Sequence, residues 1–361
     1  MKRPRASARR VHIPTFFDLD RELFNAAWIP IAHESELAAP GQYCALDFFG
    51  ERIVVVRGAD FAVRGFLDRC VHRATPLTEG AGGALRDLCF TCPYHGLKFD
   101  LAGRADPRSA PWVGVKEGSH LAPVRVYTFM SFVWFCLSPT TPDLPAWMGA
   151  PPQWLLRASL HALRLGRRRV FEAAANWKLL VQNFQESHHF STVHPSLEAR
   201  TTWRRSTSSV VGDKWFGGTM ELAVDAETVS ETGKLDGRPP VAHADDLRCV
   251  HDALLFPAWL TSLQPDYFLS YRLIPKAIDK TTIMTDIYFH TASRADDMSP
   301  SDVYTFWDRT NAEDRAICER QQRGVSQPSF TTGFYAPVED GQHAFDQRVA
   351  AYYLERDGDD V

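Results

Sequence analysis

Long apolar runs are missing from these 361 residues. The two most apolar stretches, 126–138 and 253–263, fall short of the roughly 20 residues a membrane-spanning helix needs, and polar residues interrupt both. No membrane association is expected. A surplus of charge is missing too: 40 Lys and Arg against 44 Asp and Glu leave a formal charge of −4. That offers no field to gather phosphate, so no nucleic-acid partner is expected. Cysteines are few, odd in number and scattered: Cys44, Cys70, Cys89, Cys92, Cys136, Cys249 and Cys318. This speaks against a secreted disulfide framework and turns attention to metal or redox use. Repeats and low-complexity segments are absent. The basic start, 1–10, runs into Val11-His12-Ile13-Pro14 rather than an apolar signal core, so the expectation is a frayed tail on a cytoplasmic protein.

What is present is a chain 45% hydrophobic and 23% charged, a composition that collapses into one large or two ordinary domains. From about 28 to 135 the sequence is strand-like. Arg52-Ile53-Val54-Val55-Val56 is a β-branched run, and Gly50, Gly58, Gly65, Gly96 and Gly103 fall at breaks. Residues 124–135 resemble a closing strand pair. A proline-rich stretch, 139–152, is the linker candidate. Beyond it, 171–191 is expected to be mainly helix, 207–290 an antiparallel sheet with alternation as at 283–289, and 299–323 a helix opened by Ser299-Pro300-Ser301-Asp302. The expected fold is α+β: an N-terminal segment 1–27 packing with the second domain, an all-β domain 28–145, and a domain 146–361 whose antiparallel sheet is flanked by helices.

Two Cys-His pairs carry the first chemistry. Cys70-Val71-His72 and Cys92-Pro93-Tyr94-His95 each offer a thiolate and an imidazole at a turn. Four such ligands suit tetrahedral zinc, or a two-iron cluster in which one iron takes two Cys and the other two His. Zinc sites usually group like ligands together, whereas here each half is mixed, as in a Rieske [2Fe-2S] cluster. Cys89 lacks the second C-x-x-C of a zinc knuckle and is expected to pack.

The segment Asn176-Trp177-Lys178 through Gln182-Asn183-Phe184-Gln185-Glu186-Ser187-His188-His189 to His194-Pro195 carries the second. His189 and His194 stand five apart, roughly 140° round a regular helix, so they meet at one metal only if the helix ends or loosens between them. Ser191, Thr192 and Pro195 are weak helix formers there. Two histidines and a carboxylate with open positions form the facial triad of non-heme iron oxygenases. Glu186, one helical turn before His189, is placed to take a histidine N–H.

With both constellations in hand, the chain resembles the large (alpha) subunits of the Rieske non-heme iron oxygenases. Cys70-Val-His72-Arg73 and Cys92-Pro-Tyr-His95-Gly96 are similar to their cluster signature, with a slightly longer separation owing to an insertion at 80–83. Thr75 and Tyr94 stand where respiratory-chain Rieske proteins carry disulfide cysteines. The resemblance runs from about 24 to 345 and implies a third iron ligand, Asp314, in Asn311-Ala-Glu313-Asp314-Arg315, with Glu313 on a more solvated face. It implies that Asn183 lies near the iron, and that Glu186 hydrogen-bonds an iron-ligand histidine of its own chain and a cluster histidine, His95, of a neighbouring subunit. Many relatives carry Tyr at His188 and an acid at Gln182.

The site residues expected are therefore Cys70, His72, Cys92 and His95 for the cluster, His189, His194 and Asp314 for a mononuclear Fe(II), and Glu186 and Asn183 beside it. Gly80-Ala-Gly82-Gly83 fails G-x-G-x-x-G, so NAD(P)H electrons are expected through a separate flavin or iron–sulfur reductase, with or without a ferredoxin. The later motifs are most similar to the homotrimeric choline, carnitine and glycine-betaine monooxygenase branch. That implies O2-dependent hydroxylation or N-dealkylation of a small substrate, a quaternary ammonium or N-methylated compound among the candidates. Trp203, Trp215, Phe216, Phe256, Trp259, Tyr267 and Tyr271 are candidates for an aromatic cage around such a cation. The alternatives are an aromatic-ring hydroxylase with the same metal centres, a ring-hydroxylating dioxygenase, and a zinc-binding or electron-carrier protein without oxygenase activity.

Overall fold

The computed structural model of the protein describes residues 14–293 and 300–357. The basic start, and Ser299 of the expected helix-opening signal, lie outside them. The chain divides into two compact units, Asn25–Trp147 and the remainder.

Asn25–Trp147 is built from ten strands: β1 (Ile29–His33), β2 (Gln42–Phe48), β3 (Glu51–Arg57), β4 (Val63–Leu67), β5 (Gly82–Ala84), β6 (Cys89–Thr91), β7 (Lys98–Asp100), β8 (Ala105–Asp106), β9 (Pro123–Phe129) and β10 (Phe132–Cys136). Seven form one antiparallel sheet in the order β1-β10-β9-β4-β3-β2-β5, and β6-β7-β8 form a second. The run 53–56 is fully buried in β3, and Val54 and Val56 join Phe66, Phe90, Leu97 and Phe99 in a core that also takes in Cys70 and Cys92. The glycine-rich insertion becomes the edge strand β5, paired with Gln42–Cys44. A Cβ on Gly82 would stand 3.0 Å from the Tyr43 carbonyl, so glycine permits this close approach.

The other unit holds helix α1 (Pro14–Asn25), less its last residue, and the chain from Met148. The short helix α2 (Leu144–Met148) closes the first unit, and α3 (Gln153–Arg157) leads into a seven-stranded antiparallel sheet. Its strands are β11 (Leu163–Ala173), β12 (Thr201–Val211), β13 (Trp215–Leu222), β14 (Cys249–Leu255), β15 (Trp259–Leu263), β16 (Tyr267–Ala277) and β17 (Lys280–His290), in the order β11-β17-β16-β15-β14-β13-β12. Helices α4 (Trp177–Phe184), α5 (Phe190–Val193), α6 (Pro195–Glu198), α7 (Ser301–Val325) and α8 (Asp340–Asp357) complete it. No described helix is long and apolar enough to cross a membrane.

The α+β expectation holds, with local corrections. Phe171–Ala173 end strand β11, which pairs with β17 through Val170↔Met284 and Phe171↔Ile283. Sheet pairing therefore overrides the helical reading there, and the helix starts only at Trp177, where the Asn176 side chain accepts the Lys178 N–H at 2.9 Å. It stops at Phe184, with Gln185 as its cap, so Glu186 lies just past its end. After helices α4, α5 and α6 the sheet resumes at Thr201 rather than 207, with a bulge between Thr201 and Ser206. β16 and β17 are buried on both faces, so alternation does not mark an inner and an outer side. Asp286 remains inside because Arg168 and Arg272 both bind it.

Candidate active site and metal centres

Two loops of matching geometry hold the first set of candidates. The Cys70 N–H donates to the Thr75 carbonyl at 2.9 Å, and the Ala74 N–H returns to the Cys70 carbonyl at 2.9 Å. In the second loop the Cys92 N–H donates to Leu97 at 2.8 Å, and the Gly96 N–H to Cys92 at 2.9 Å. Ala74 and Gly96, each four residues after its cysteine, both have positive φ, 54° and 73°. The same turn is thus built twice, though only one copy has glycine at the left-handed position.

Both cysteines are buried in the core and both histidines lie outward, their rings 4.7 Å apart, with Tyr94 stacked on His95 at 4.0 Å. Burial, and next to it the adjacent Cys92 thiol, push the Cys70 thiol up. Two neighbouring thiols inside and two imidazoles at the rim are a donor set that fits a bridged iron pair with one sulfur-ligated and one nitrogen-ligated end. Cys89 lies apart, half-buried in β6, within 3.7 Å of the Thr91 hydroxyl.

The second set converges on α7. His194 Nε2 lies 2.8 Å and His189 Nε2 3.5 Å from Asp314 Oδ1, and ligand atoms of the three residues all lie within 4.8 Å of one another. The ring nitrogens facing away are held by other carboxylates: Glu186 Oε1 is 2.6 Å from His189 Nδ1, and Glu313 Oε2 is 2.7 Å from His194 Nδ1. Each imidazole thereby has its tautomer and orientation set, with Nε2 turned to the common point. Asn183 Nδ2 stands 3.4 Å from His189 Nε2.

The electrostatics suit a cation. Burial opposes ionisation of Asp314, yet the hydrogen bonds from His189 and His194 bring it down to about 2. Burial likewise opposes charging His189, and Asp314 and Glu186 lift it to about 9. Burial raises the Glu186 carboxyl, but the His189 contact holds it below the usual range. Two nitrogens and a carboxylate oxygen with two further carboxylates behind them fit a divalent metal of the facial-triad kind.

Local structure departs from sequence reasoning in two ways here. Glu186 does not sit a helical turn before His189, because α4 has already ended. Instead its carboxylate accepts the backbone N–H groups of His188 and His189 and closes a turn, which brings it to the His189 ring. Glu313 is no solvated bystander; it holds His194. The spacing of Glu313 from Asp314 gives no sign of that, since only the placement of His194 against α7 reveals it. His188 contacts Glu186 and meets the Trp203 ring edge-on, and Gln182 donates to Asp346 at 2.6 Å.

The triad opens on a cavity lined by α4, the sheet and α7, mostly apolar, with Leu260, Leu273, Ile283 and Met220 among its walls. Of the seven cage candidates only Tyr271 lines it. Trp203 and Phe216 line an adjoining pocket, while Trp215, Phe256, Trp259 and Tyr267 are packed in the core. Trp307 lines the cavity and was not among the candidates. Its spacing with Thr310, Asn311 and Asp314 follows one face of α7, a helical pattern that could have revealed it.

Residues 160–355 match the family model of the ring hydroxylating alpha subunit catalytic domain, and residues 27–116 match the Rieske [2Fe-2S] domain. The carnitine monooxygenase oxygenase subunit of Escherichia coli (strain K12) is 28% identical over 87% of this chain and 82% of that protein. The glycine betaine monooxygenase oxygenase subunit of Chromohalobacter salexigens is 24% identical over 90% and 80%. Among solved structures, the quaternary ammonium Rieske monooxygenase CntA bound to an inhibitor superposes with a TM-score of 0.83 at 24% identity, covering 97% of this chain and 96% of that one. Naphthalene 1,2-dioxygenase from Rhodococcus sp. gives 0.75 at 17% identity, covering 96% and 93%.

Proposed function

The chain belongs to the ring hydroxylating alpha subunit family, with a Rieske [2Fe-2S] domain ahead of its catalytic domain, and from that premise we propose that it is the terminal component of a monooxygenase acting on a small N-methylated or quaternary amine. The observation that carries the reading is the convergence of His189 Nε2, His194 Nε2 and Asp314 Oδ1 at the floor of an apolar cavity. The names of the relatives support the amine class. So does the cavity, whose lining includes a carboxylate outside the triad, Asp252, that can answer a cation.

In this reading Cys70, His72, Cys92 and His95 hold the cluster, and His189, His194 and Asp314 hold the mononuclear iron. When bound, the two centres supply single electrons and an open ferrous position for dioxygen. The chain's own side chains do the rest. Glu186 and Glu313 hold the two imidazoles in register, and Asn183 presents its amide at the cavity floor. The apolar walls exclude water from the reacting carbon. Glu186 also takes a hydrogen bond from His95 of a neighbouring subunit, so the working assembly is an oligomer, a homotrimer by its resemblance to the choline, carnitine and glycine-betaine branch. Electrons come from NAD(P)H through a separate flavin or iron–sulfur reductase.

Purified protein loaded with iron and sulfide should be brown and contain about three irons per chain, two paired and one alone. His189→Ala or Asp314→Ala should lower this to about two with the visible spectrum unchanged. With a competent reductase, an amine and arene panel should give turnover on N-methylated amines. A colourless zinc protein would end the reading, and turnover of arenes alone would transfer it to the ring hydroxylases.

A further inference from the structure

Resting on the oxygenase reading above, a second cluster in the same cavity narrows the substrate. The cavity-facing side of the sheet follows a period of two: Val250 and Asp252 on β14, Leu260 and Ser262 on β15 with Gln264 just beyond it, Tyr271 and Leu273 on β16. Asp252 and Ser262 are direct cross-strand partners, and Gln264 follows two residues later on the same face. Gln264 Nε2 donates to Ser262 Oγ at 2.8 Å, and the Ser262 hydroxyl bonds the Asp252 carboxylate.

This chain of hydrogen bonds is incomplete at both ends. Asp252 Oδ1 and Gln264 Oε1 are buried and have no hydrogen-bond donor among the described residues. Gln264 is fully buried and Ser262 nearly so. Burial raises the Asp252 carboxyl to about 7, and of the neighbours only the Ser262 hydroxyl lowers it; no arginine or lysine does. A half-buried carboxylate with one oxygen fully buried and no counter-ion, beside a buried amide oxygen without a donor, costs free energy unless a ligand supplies both charge and hydrogen. Asp252 also lines the adjoining pocket, which shares Phe184, Glu186 and Met220 with the cavity, so it stands where the two meet.

We propose that Asp252 and Gln264 form the specificity site for a cationic nitrogen that carries at least one N–H, a protonated N-methylated amine rather than a fully quaternised one. The carboxylate answers the charge, and Gln264 Oε1 takes the N–H, with Asp252 Oδ1 open to a second where the nitrogen carries one. A quaternary ammonium has none, and would leave both acceptors unsatisfied while gaining only Coulomb attraction.

Three probes of matched shape separate these possibilities by calorimetric titration of the iron-loaded protein: 2-(dimethylamino)ethanol, protonated at neutral pH; choline, its quaternary analogue; and 3,3-dimethylbutanol, neutral. The expected order of affinity is tertiary amine, then choline, then neutral alcohol. Asp252→Asn should weaken the tertiary amine about tenfold or more and leave the neutral alcohol unchanged, and Gln264→Leu should erase the preference for the tertiary amine over choline. Equal binding of the neutral alcohol by the unaltered protein, or choline binding as tightly as the tertiary amine, would overturn the proposal. Iron content and the reduced-cluster signal, measured on the same samples, report separately on the oxygenase reading. A protein with both centres but no cation preference refutes this inference alone.

Discussion

Glu313 and Asp314 are chain neighbours on α7 that reach opposite nitrogens of one ring, His194, so that one carboxylate is aimed at the metal position and the other holds the ring that shares it. Replacing Glu313 by Gln keeps the shape but removes the charge. Iron should then be lost to a chelator at about 10–100-fold lower concentration, as for other partners of ligating histidines. Chelator titration against iron content measures this, and unchanged retention would reduce Glu313 to packing. Asp252 offers a test in stability. Its folded value of about 7 lies above the ordinary 3.8, so the native state keeps the proton more tightly than the unfolded chain does. Stability should fall as pH rises from about 4 to about 7, and Asp252→Asn should lack that slope. Urea unfolding of both proteins across the range compares them. His189 and His194 were legible as candidates from residue type and spacing, whereas Glu313 and Asp252 were not, because neither carries a motif and each acquires its role from what faces it.

Among the elements, the short α4 decides much of the site. It is capped by Asn176 and tied down by Lys178, whose buried ammonium lies 2.9 and 2.8 Å from the Asp20 oxygens of α1 and 2.9 Å from the Tyr353 hydroxyl of α8. Three helices distant in sequence thus meet at one charge. Lys178→Met would leave the buried Asp20 carboxylate without a counter-ion, its remaining partner the Tyr353 hydroxyl, and should destabilise the protein by about 3–5 kcal/mol in urea unfolding. Adding Asp20→Asn should recover part of the loss, because the two changes are coupled. The turn after α4, with the strand before it, explains why 171–191 holds less helix than expected. Phe171–Ala173 are claimed by β17, and the chain from Gln185 to His189 folds round the Glu186 carboxylate. Both effects are tertiary or side-chain-driven and leave no mark in helical periodicity.

For the whole molecule, the claim is that single electrons reach the mononuclear iron from a cluster on another subunit by way of Glu186. Glu186→Ala should retain about three irons per chain yet lose most turnover coupled to the reductase, read by iron analysis alongside substrate-dependent oxygen uptake. Full coupled activity would remove Glu186 from the path. The sequence by itself determined the family, the α+β order of an all-β part followed by a helix-flanked sheet, and the identity of the candidate ligands. Thiolate and imidazole pairs at fixed spacing, and a histidine pair near a helix end, carry their chemistry in residue type and local distance. Only the tertiary structure decided which carboxylates stand behind the histidines, which aromatic rings reach the cavity, and where Asp252 and Gln264 are left without donors. Those are matters of burial and of contacts between residues far apart in the chain, and strand register and helix docking set them rather than local pattern.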